Sequence, residues 1–115
     1  MNSRTFRDLS RENQKIVKRF QKIEGKPWGV EGSLIELVKQ VGELSKLIMV
    51  QEGYYASDRS KFHQGYEADK GKISDELSDV LFVILRIANH YGIDLEDSFL
   101  KSLEGASEYL DQKGV

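Results

Sequence analysis

Two acidic side chains at the start of an apolar segment are the residues best suited to chemistry in this sequence. Glu76 and Asp79 are three positions apart, so on a helix they share a face, and the apolar run 80–88 continues the same helix. Buried carboxylates are costly unless they are paired or bound to a cation. The alternative is that acids in a first helical turn favour the helix dipole and stay solvated, which is our interpretation of Asp75. For Glu76 and Asp79 both interpretations stay open on this segment alone.

A second set of polar side chains precedes these acids. Glu36, Gln40 and Glu43 fall within a narrow arc if the surrounding segment is helical. Carboxylate oxygens presented by facing helices suit a hard cation such as Mg²⁺, with substrate phosphates completing the coordination shell. Together with the later acids, these residues predict a site where a metal ion meets a phosphorylated ligand.

Each of these polar residues also has an interpretation that needs no metal. Ser33 and Glu36 have the spacing of a capping box, which satisfies free backbone donors at a helix start. Glu43 can form an ion pair with Lys39 or Lys46. We prefer the capping interpretation for Glu36, and the ion pair would be preferred for Glu43 if it stood alone.

Four helices position these side chains. Apolar residues recur with helical periodicity in four segments, which are 5–24, 33–52, 74–90 and 95–110. Asp94 is the expected N-cap of the last helix. No segment alternates long enough to predict a strand, so residues 1–115 are expected to form a single all-α domain with a mobile loop at about 53–71. Helices from so short a chain leave wide apolar faces, so we expect self-association.

Composition limits the classes of function. The formal net charge is -2, which argues against a nucleic-acid polymer or a membrane surface as the partner. The absence of cysteine excludes disulfides and thiolate metal sites. Residues 1–11 lack the apolar core of a signal peptide, and the longest apolar run, 80–88, is too short to span a bilayer. A cytoplasmic location is expected.

These residues resemble the MazG-like all-α nucleoside triphosphate pyrophosphohydrolases. The matching strings are Leu37–Leu44 (LVKQVGEL), Asp75–Leu81 (DELSDVL) and Ile87–Leu95 (IANHYGIDL). The resemblance covers about 28–109 and implies a four-helix MazG-like bundle completed by a dimer or tetramer. It also implies that Glu43, Glu76 and Asp79 bind magnesium.

The sequence departs from the family pattern at one part of this metal site. Where the family has two adjacent glutamates, this chain has Lys39 and Gln40. Gln40 still offers a carbonyl oxygen as a weaker ligand, whereas Lys39 places a positive charge near a cation site and weakens it. Glu36, one turn earlier, is the candidate to compensate. The attacking water is expected to be oriented by Glu36 or by one of Glu43, Glu76 and Asp79.

The resemblance also implies residues that bind the substrate. On the last helix only the first and last of the family's polar positions match, so Lys101 and Tyr109 are expected to contact the nucleotide together with Lys39. Trp28 stands where the family has an aromatic residue near the base pocket, although we slightly prefer its interpretation as an apolar lid on the helices. In the loop, Arg59 and its basic neighbours can contact phosphates, and Tyr54, Tyr55 and Tyr66 can stack on a base.

The function implied is magnesium-dependent hydrolysis of nucleoside triphosphates to nucleoside monophosphates and pyrophosphate. The alternative is a catalytically degenerate member, a nucleotide-binding or structural homo-oligomer, and Lys39 and Gln40 are its evidence. In that case an ion pair from Lys39 to Glu43 or Glu36 neutralises the site. A third interpretation, an adaptor that binds a protein through the loop, has no specific support in the sequence.

Overall fold

The computed structural model describes residues 4–115, and over that range the chain has four α-helices and no β-strand. The helices are α1 (Phe6–Gln21), α2 (Gly29–Gln51), α3 (Lys70–His90) and α4 (Leu95–Gln112). A short 3₁₀ helix, Arg59–Lys61, lies in the connection between α2 and α3. The predicted all-α fold is therefore confirmed. The chain divides into a first compact unit, Met1–Gly25 with Leu85–Val115, and a second, Lys26–Ile84.

In the first unit, a capping box and ion pairs fix the start of α1. The Thr5 hydroxyl accepts a hydrogen bond from the Asp8 N–H at 3.1 Å, and the Asp8 carboxylate accepts one from the Thr5 N–H at 3.1 Å. Arg7 on α1 binds Asp94 at 2.7 Å and Glu96 at 3.1 Å, at the beginning of α4. The two helices are in contact, and these ion pairs join their N-terminal ends.

A buried ion pair lies deeper in the same unit. The two terminal nitrogens of Arg86 donate to the two carboxylate oxygens of Glu24 at 2.8 and 3.0 Å. Both side chains are less than a tenth exposed. The first helix was predicted to reach Glu24, but α1 ends at Gln21, so Glu24 lies in the following turn. A bidentate geometry of this kind is needed to offset the cost of burying two charges.

In the second unit, α2 begins at Gly29, four residues before the predicted start. The Ser33 hydroxyl donates to the Gly29 carbonyl oxygen at 3.1 Å and the residue is buried. A serine inside a helix commonly bonds in this way to the carbonyl one turn earlier. The predicted capping box of Ser33 and Glu36 is therefore wrong. Trp28 occupies the N-cap position without a side-chain cap.

The last two helices differ from prediction in length. α3 begins at Lys70 rather than Ser74, because the Asp69 carboxylate accepts a hydrogen bond from the Lys72 N–H at 2.8 Å and caps the helix. The predicted N-cap of α4 is confirmed, since the Asp94 carboxylate accepts from the Asp97 N–H at 3.2 Å.

The apolar run of α3 is only partly buried. Its buried residues are Val83, Leu85, Arg86 and Ala88. Leu81 stays 41% exposed, so the buried residues of α3 are confined to its C-terminal part. Within residues 4–115, no helix combines the length and apolarity required to cross a bilayer.

Candidate functional site

Three carboxylates of the second unit act on one another electrostatically. They are Glu43 on α2 and Glu76 and Asp79 on α3. Burial raises the pKa of Glu76, and the negative charges of Asp79 and Glu43 raise that pKa further. The ammonium groups of Lys39 and Lys46 lower it. Two of the acids that the sequence singled out as metal ligands, Glu43 and Asp79, therefore lie near enough to Glu76 to influence its charge, and so do two lysines.

Glu76 carries the least satisfied polar atom of this group. Its Oε2 atom is buried and has no hydrogen-bond partner among the described residues. A buried carboxylate oxygen without a partner is costly, and it is stabilised by a cation or a donor. The acids that act on Glu76 offer carboxylate oxygens, which are the ligand atoms that hard cations prefer. In donor chemistry, these residues fit magnesium.

The carboxylates are not gathered into a finished coordination shell. Among residues 4–115, no group of three or more His, Asp or Glu side chains is placed so that it could hold a metal ion directly. The assignment of Glu43, Glu76, Asp79 and Gln40 as ligands therefore stays a prediction.

The Glu36 carboxylate contacts both residues that depart from the family pattern, Lys39 and Gln40. The Lys39 ammonium lies 2.9 Å from Glu36 Oε1, and the Gln40 amide donates to the same oxygen at 2.9 Å. The hydrogen bond to Glu36 raises the pKa of Lys39. Gln40 thus turns its nitrogen, not its carbonyl oxygen, toward Glu36. Of the two ion pairs considered for Lys39 under the degenerate alternative, the structure contains the one with Glu36.

Glu43 has a counter-ion of its own. Lys46 lies 3.0 Å from Glu43 Oε2, which confirms one of the two ion pairs considered for Glu43 from the sequence. The ammonium also lies 5.6 Å from the centre of the Tyr66 ring. By contrast, neither Glu76 nor Asp79 forms an ion pair within the part of the chain that the structure describes. Within that range, the carboxylates of Glu76 and Asp79 are therefore not neutralised by an ion pair.

The residues expected to bind substrate are spread over both units. Trp28 is half-buried in the second unit. It packs closely against Gly32, because a Cβ added at Gly32 would lie 2.7 Å from the Cβ of Trp28. Lys101 and Tyr109 lie on α4 in the first unit. Lys101 binds Asp97 at 3.1 Å, and the Tyr109 ring is contacted by the Lys113 ammonium. Their roles toward a nucleotide stay predictions.

Two of the three loop tyrosines already contact other side chains of the loop. Tyr55 and Tyr66 contact each other edge to face, with ring centres 5.1 Å apart, and both rings contact Arg59. Tyr54 is the exposed member, at 76%. Sequence reasoning missed this cluster because its members are up to eleven positions apart and no helix fixes their spacing.

The all-α fold and the acidic side chains on α2 and α3 describe the protein only in general terms. Comparison with known families identifies the class to which it belongs. A family model described as the MazG nucleotide pyrophosphohydrolase domain matches residues 31–107. This range is more than half of the chain and contains all of the candidate metal ligands. The chain belongs to the MazG nucleotide pyrophosphohydrolase family. Comparisons with curated proteins and with solved structures gave no match.

Proposed function

We propose that the protein is a magnesium-dependent nucleoside triphosphate pyrophosphohydrolase, which releases a nucleoside monophosphate and pyrophosphate. Membership of the family supports hydrolysis of a nucleotide phosphoanhydride. The single observation that carries the location of the site is the buried, unpartnered Oε2 of Glu76 beside two further carboxylates.

In this proposal Glu43, Glu76 and Asp79 hold the metal, and Gln40 contributes a weaker oxygen. A bound magnesium ion would neutralise phosphate charge and lower the pKa of a coordinated water. Binding would also relieve the repulsion among the three acids, which raises the pKa of Glu76 in the free chain. The Lys46 ammonium lies 3.0 Å from Glu43 Oε2, so a metal held by Glu43 would compete with it for this oxygen.

Glu36 is the proposed residue that orients water. Two donors, Lys39 and Gln40, hold one of its oxygens at 2.9 Å each, which restricts the rotation of the carboxylate. A carboxylate fixed in this way can accept a proton from a water that attacks the α–β phosphoanhydride. The bond between the α-phosphorus and the bridging oxygen then breaks, and pyrophosphate leaves with that oxygen.

The activity is tested by pyrophosphate release from a panel of nucleoside triphosphates, in magnesium and in EDTA. We expect release that requires magnesium and falls by at least about tenfold in Glu76→Ala. Asp75→Ala is the matched control, since it removes the neighbouring acid from the same helical turn and should retain activity. Release from none of the nucleotides would contradict the proposal, as would equal losses in the two variants.

A second candidate function is a degenerate member that binds nucleotides without hydrolysing them. The ion pairs of Lys39 with Glu36 and of Lys46 with Glu43 favour it, because they neutralise part of the site internally. Replacing both departures, Lys39→Glu with Gln40→Glu, should raise magnesium affinity in titration calorimetry. If the double variant hydrolyses nucleotides and the wild-type protein does not, the wild-type protein is a degenerate member. No gain in magnesium affinity would count against the site itself.

A further inference from the structure

Arg59 is held by two aromatic rings in the loop between α2 and α3. Its guanidinium carbon lies 4.5 Å from the centre of the Tyr66 ring and 5.1 Å from that of Tyr55. The two rings are nearly perpendicular, at 86°. Stacking of this kind stabilises a guanidinium and fixes its plane without using its hydrogen-bond donors. The side chain is therefore positioned in advance, with donors left over.

The donors of Arg59 are poorly satisfied. Within residues 4–115, Arg59 forms no ion pair with a carboxylate, and its one side-chain hydrogen bond, from Nη2 to the Tyr66 hydroxyl, is long at 3.4 Å. Its Nε atom is buried without a partner. A guanidinium group carries five N–H donors, and a buried donor that forms no hydrogen bond costs free energy. A planar, fixed, unpaired cation is suited to a bidentate anion.

The same tyrosine connects Arg59 to the carboxylate site. The Lys46 ammonium lies 5.6 Å from the Tyr66 ring centre and 3.0 Å from Glu43 Oε2. The loop backbone passes directly against this ammonium, because a Cβ at Gly65 would lie 2.9 Å from Lys46 Nζ. Gly65 also has a φ of +83°, a conformation that favours glycine. Two cations thus share one ring, and one of them contacts a candidate metal ligand.

We propose that Arg59 and Lys46 form a subsite for a diphosphate group. The inference rests on the proposed function, in which this group is the β,γ-diphosphate of the nucleotide and leaves as pyrophosphate. Arg59 binds it through a fork of N–H donors, and Lys46, whose ammonium has donors beyond the one that faces Glu43, supplies a second positive charge. Tyr55 and Tyr66 orient the guanidinium without contacting the substrate.

The subsite is tested first by binding of inorganic pyrophosphate in EDTA, measured by titration calorimetry at constant ionic strength. Arg59→Gln should weaken binding by about tenfold or more, as expected for the loss of charge-assisted hydrogen bonds. The matched control is Lys61→Gln, which removes the same charge from an exposed position of the same 3₁₀ helix. It should change the affinity by less than about twofold, since a single exposed charge acts weakly.

Two outcomes of this experiment would overturn the subsite. One is the absence of pyrophosphate binding by the wild-type protein at millimolar concentrations, and the other is an equal loss in Arg59→Gln and Lys61→Gln. Circular dichroism checks that the variants fold. Arg59→Lys keeps the charge and the stem but lacks the fork, so it should also bind pyrophosphate more weakly than wild type, and wild-type affinity in this variant would contradict the bidentate role.

Further measurements separate the subsite from the proposed function. If Arg59→Gln raises KM for the triphosphate and the inhibition constant of pyrophosphate by the same factor, one subsite serves both. An effect on free pyrophosphate alone would overturn its role toward substrate. Pyrophosphate binding that needs Arg59 in a protein without hydrolytic activity would refute the proposed function and leave the subsite standing. Hydrolysis by Arg59→Gln with unchanged KM and unchanged affinity for pyrophosphate would refute the subsite alone.

Discussion

At the scale of single residues, the chemistry of the second unit depends on Glu76. One of its oxygens is buried without a partner, and two other carboxylates repel its charge. Burial and this repulsion therefore disfavour the charge in the metal-free chain, whereas a cation bound at this oxygen would favour it. Because the two effects have opposite signs, one substitution can reveal both.

Glu76→Gln should raise the melting temperature in EDTA at neutral pH, because the neutral amide removes the repulsion. The same substitution should abolish the rise in melting temperature that magnesium produces in the wild-type protein. Thermal denaturation followed by circular dichroism, with and without magnesium, measures both. Asp75→Asn is the control and should leave the magnesium effect intact. If Glu76→Gln keeps the full magnesium effect, Glu76 is not a ligand.

Some features of the site were predictable at this scale and others were not. The spacing of Glu76 and Asp79 places them on one face of any helix, and the pair Glu43–Lys46 follows from the same rule. The buried oxygen of Glu76 depends on packing, which no local pattern specifies. The contacts of Arg59 with the loop tyrosines depend on a non-helical path of the backbone, so they required the structure.

At the scale of helices, prediction succeeded where a side chain caps the helix and no competing bond exists. Asp94 was expected to cap α4 and does so. Ser33 fits the capping pattern equally well, but its hydroxyl bonds back to the Gly29 carbonyl inside a longer helix. Asp69 caps α3 ahead of Gly71, a residue whose poor helix propensity suggested that the loop continued. Existence and order of helices were therefore predictable, and their starts were decided by individual hydrogen bonds.

The ion pair that joins the start of α1 to that of α4 gives stability a defined dependence on pH. The hydrogen bond from Arg7 is the largest cause of a lowered pKa at Asp94. A lowered carboxylate pKa contributes stability above the unfolded value, near 3.8, and the contribution is lost as the pH falls through the folded value. The pair should therefore stabilise the protein at neutral pH and cease to do so in acid.

Arg7→Gln should lower the melting temperature slightly at pH 7, as expected for an exposed pair. The difference from wild type should shrink toward zero as the pH falls below the ordinary pKa of aspartate. Asp94→Asn is the second arm, since asparagine still caps a helix but cannot pair with Arg7. The double variant should lose little more than either single variant. A difference that does not change with pH would show that Arg7 acts through packing.

At the scale of the whole molecule, many large apolar side chains are exposed to solvent. Large apolar side chains are exposed on all four helices. On α2 four of them follow one stripe, because at about 100° per residue they fall within an arc of roughly 80°. They are Leu34, Val38, Val41 and Ile48, between 43% and 65% exposed. An apolar stripe of this kind is typical of an interface, so we propose that the chain self-associates through α2.

Val38→Lys should therefore weaken self-association, because a charge in the middle of the stripe must be desolvated in a dimer or tetramer. Val38 is 65% exposed, so the substitution should leave the fold of the isolated chain intact. Gln51→Lys is the matched control, since it adds the same charge at an exposed position of α2 outside the stripe. Sedimentation velocity over a range of concentrations should show an oligomer for the wild type and the control and a larger monomer fraction for Val38→Lys. A wild-type protein that sediments only as a monomer would contradict self-association, and an unchanged oligomer in Val38→Lys would exclude this stripe as its interface.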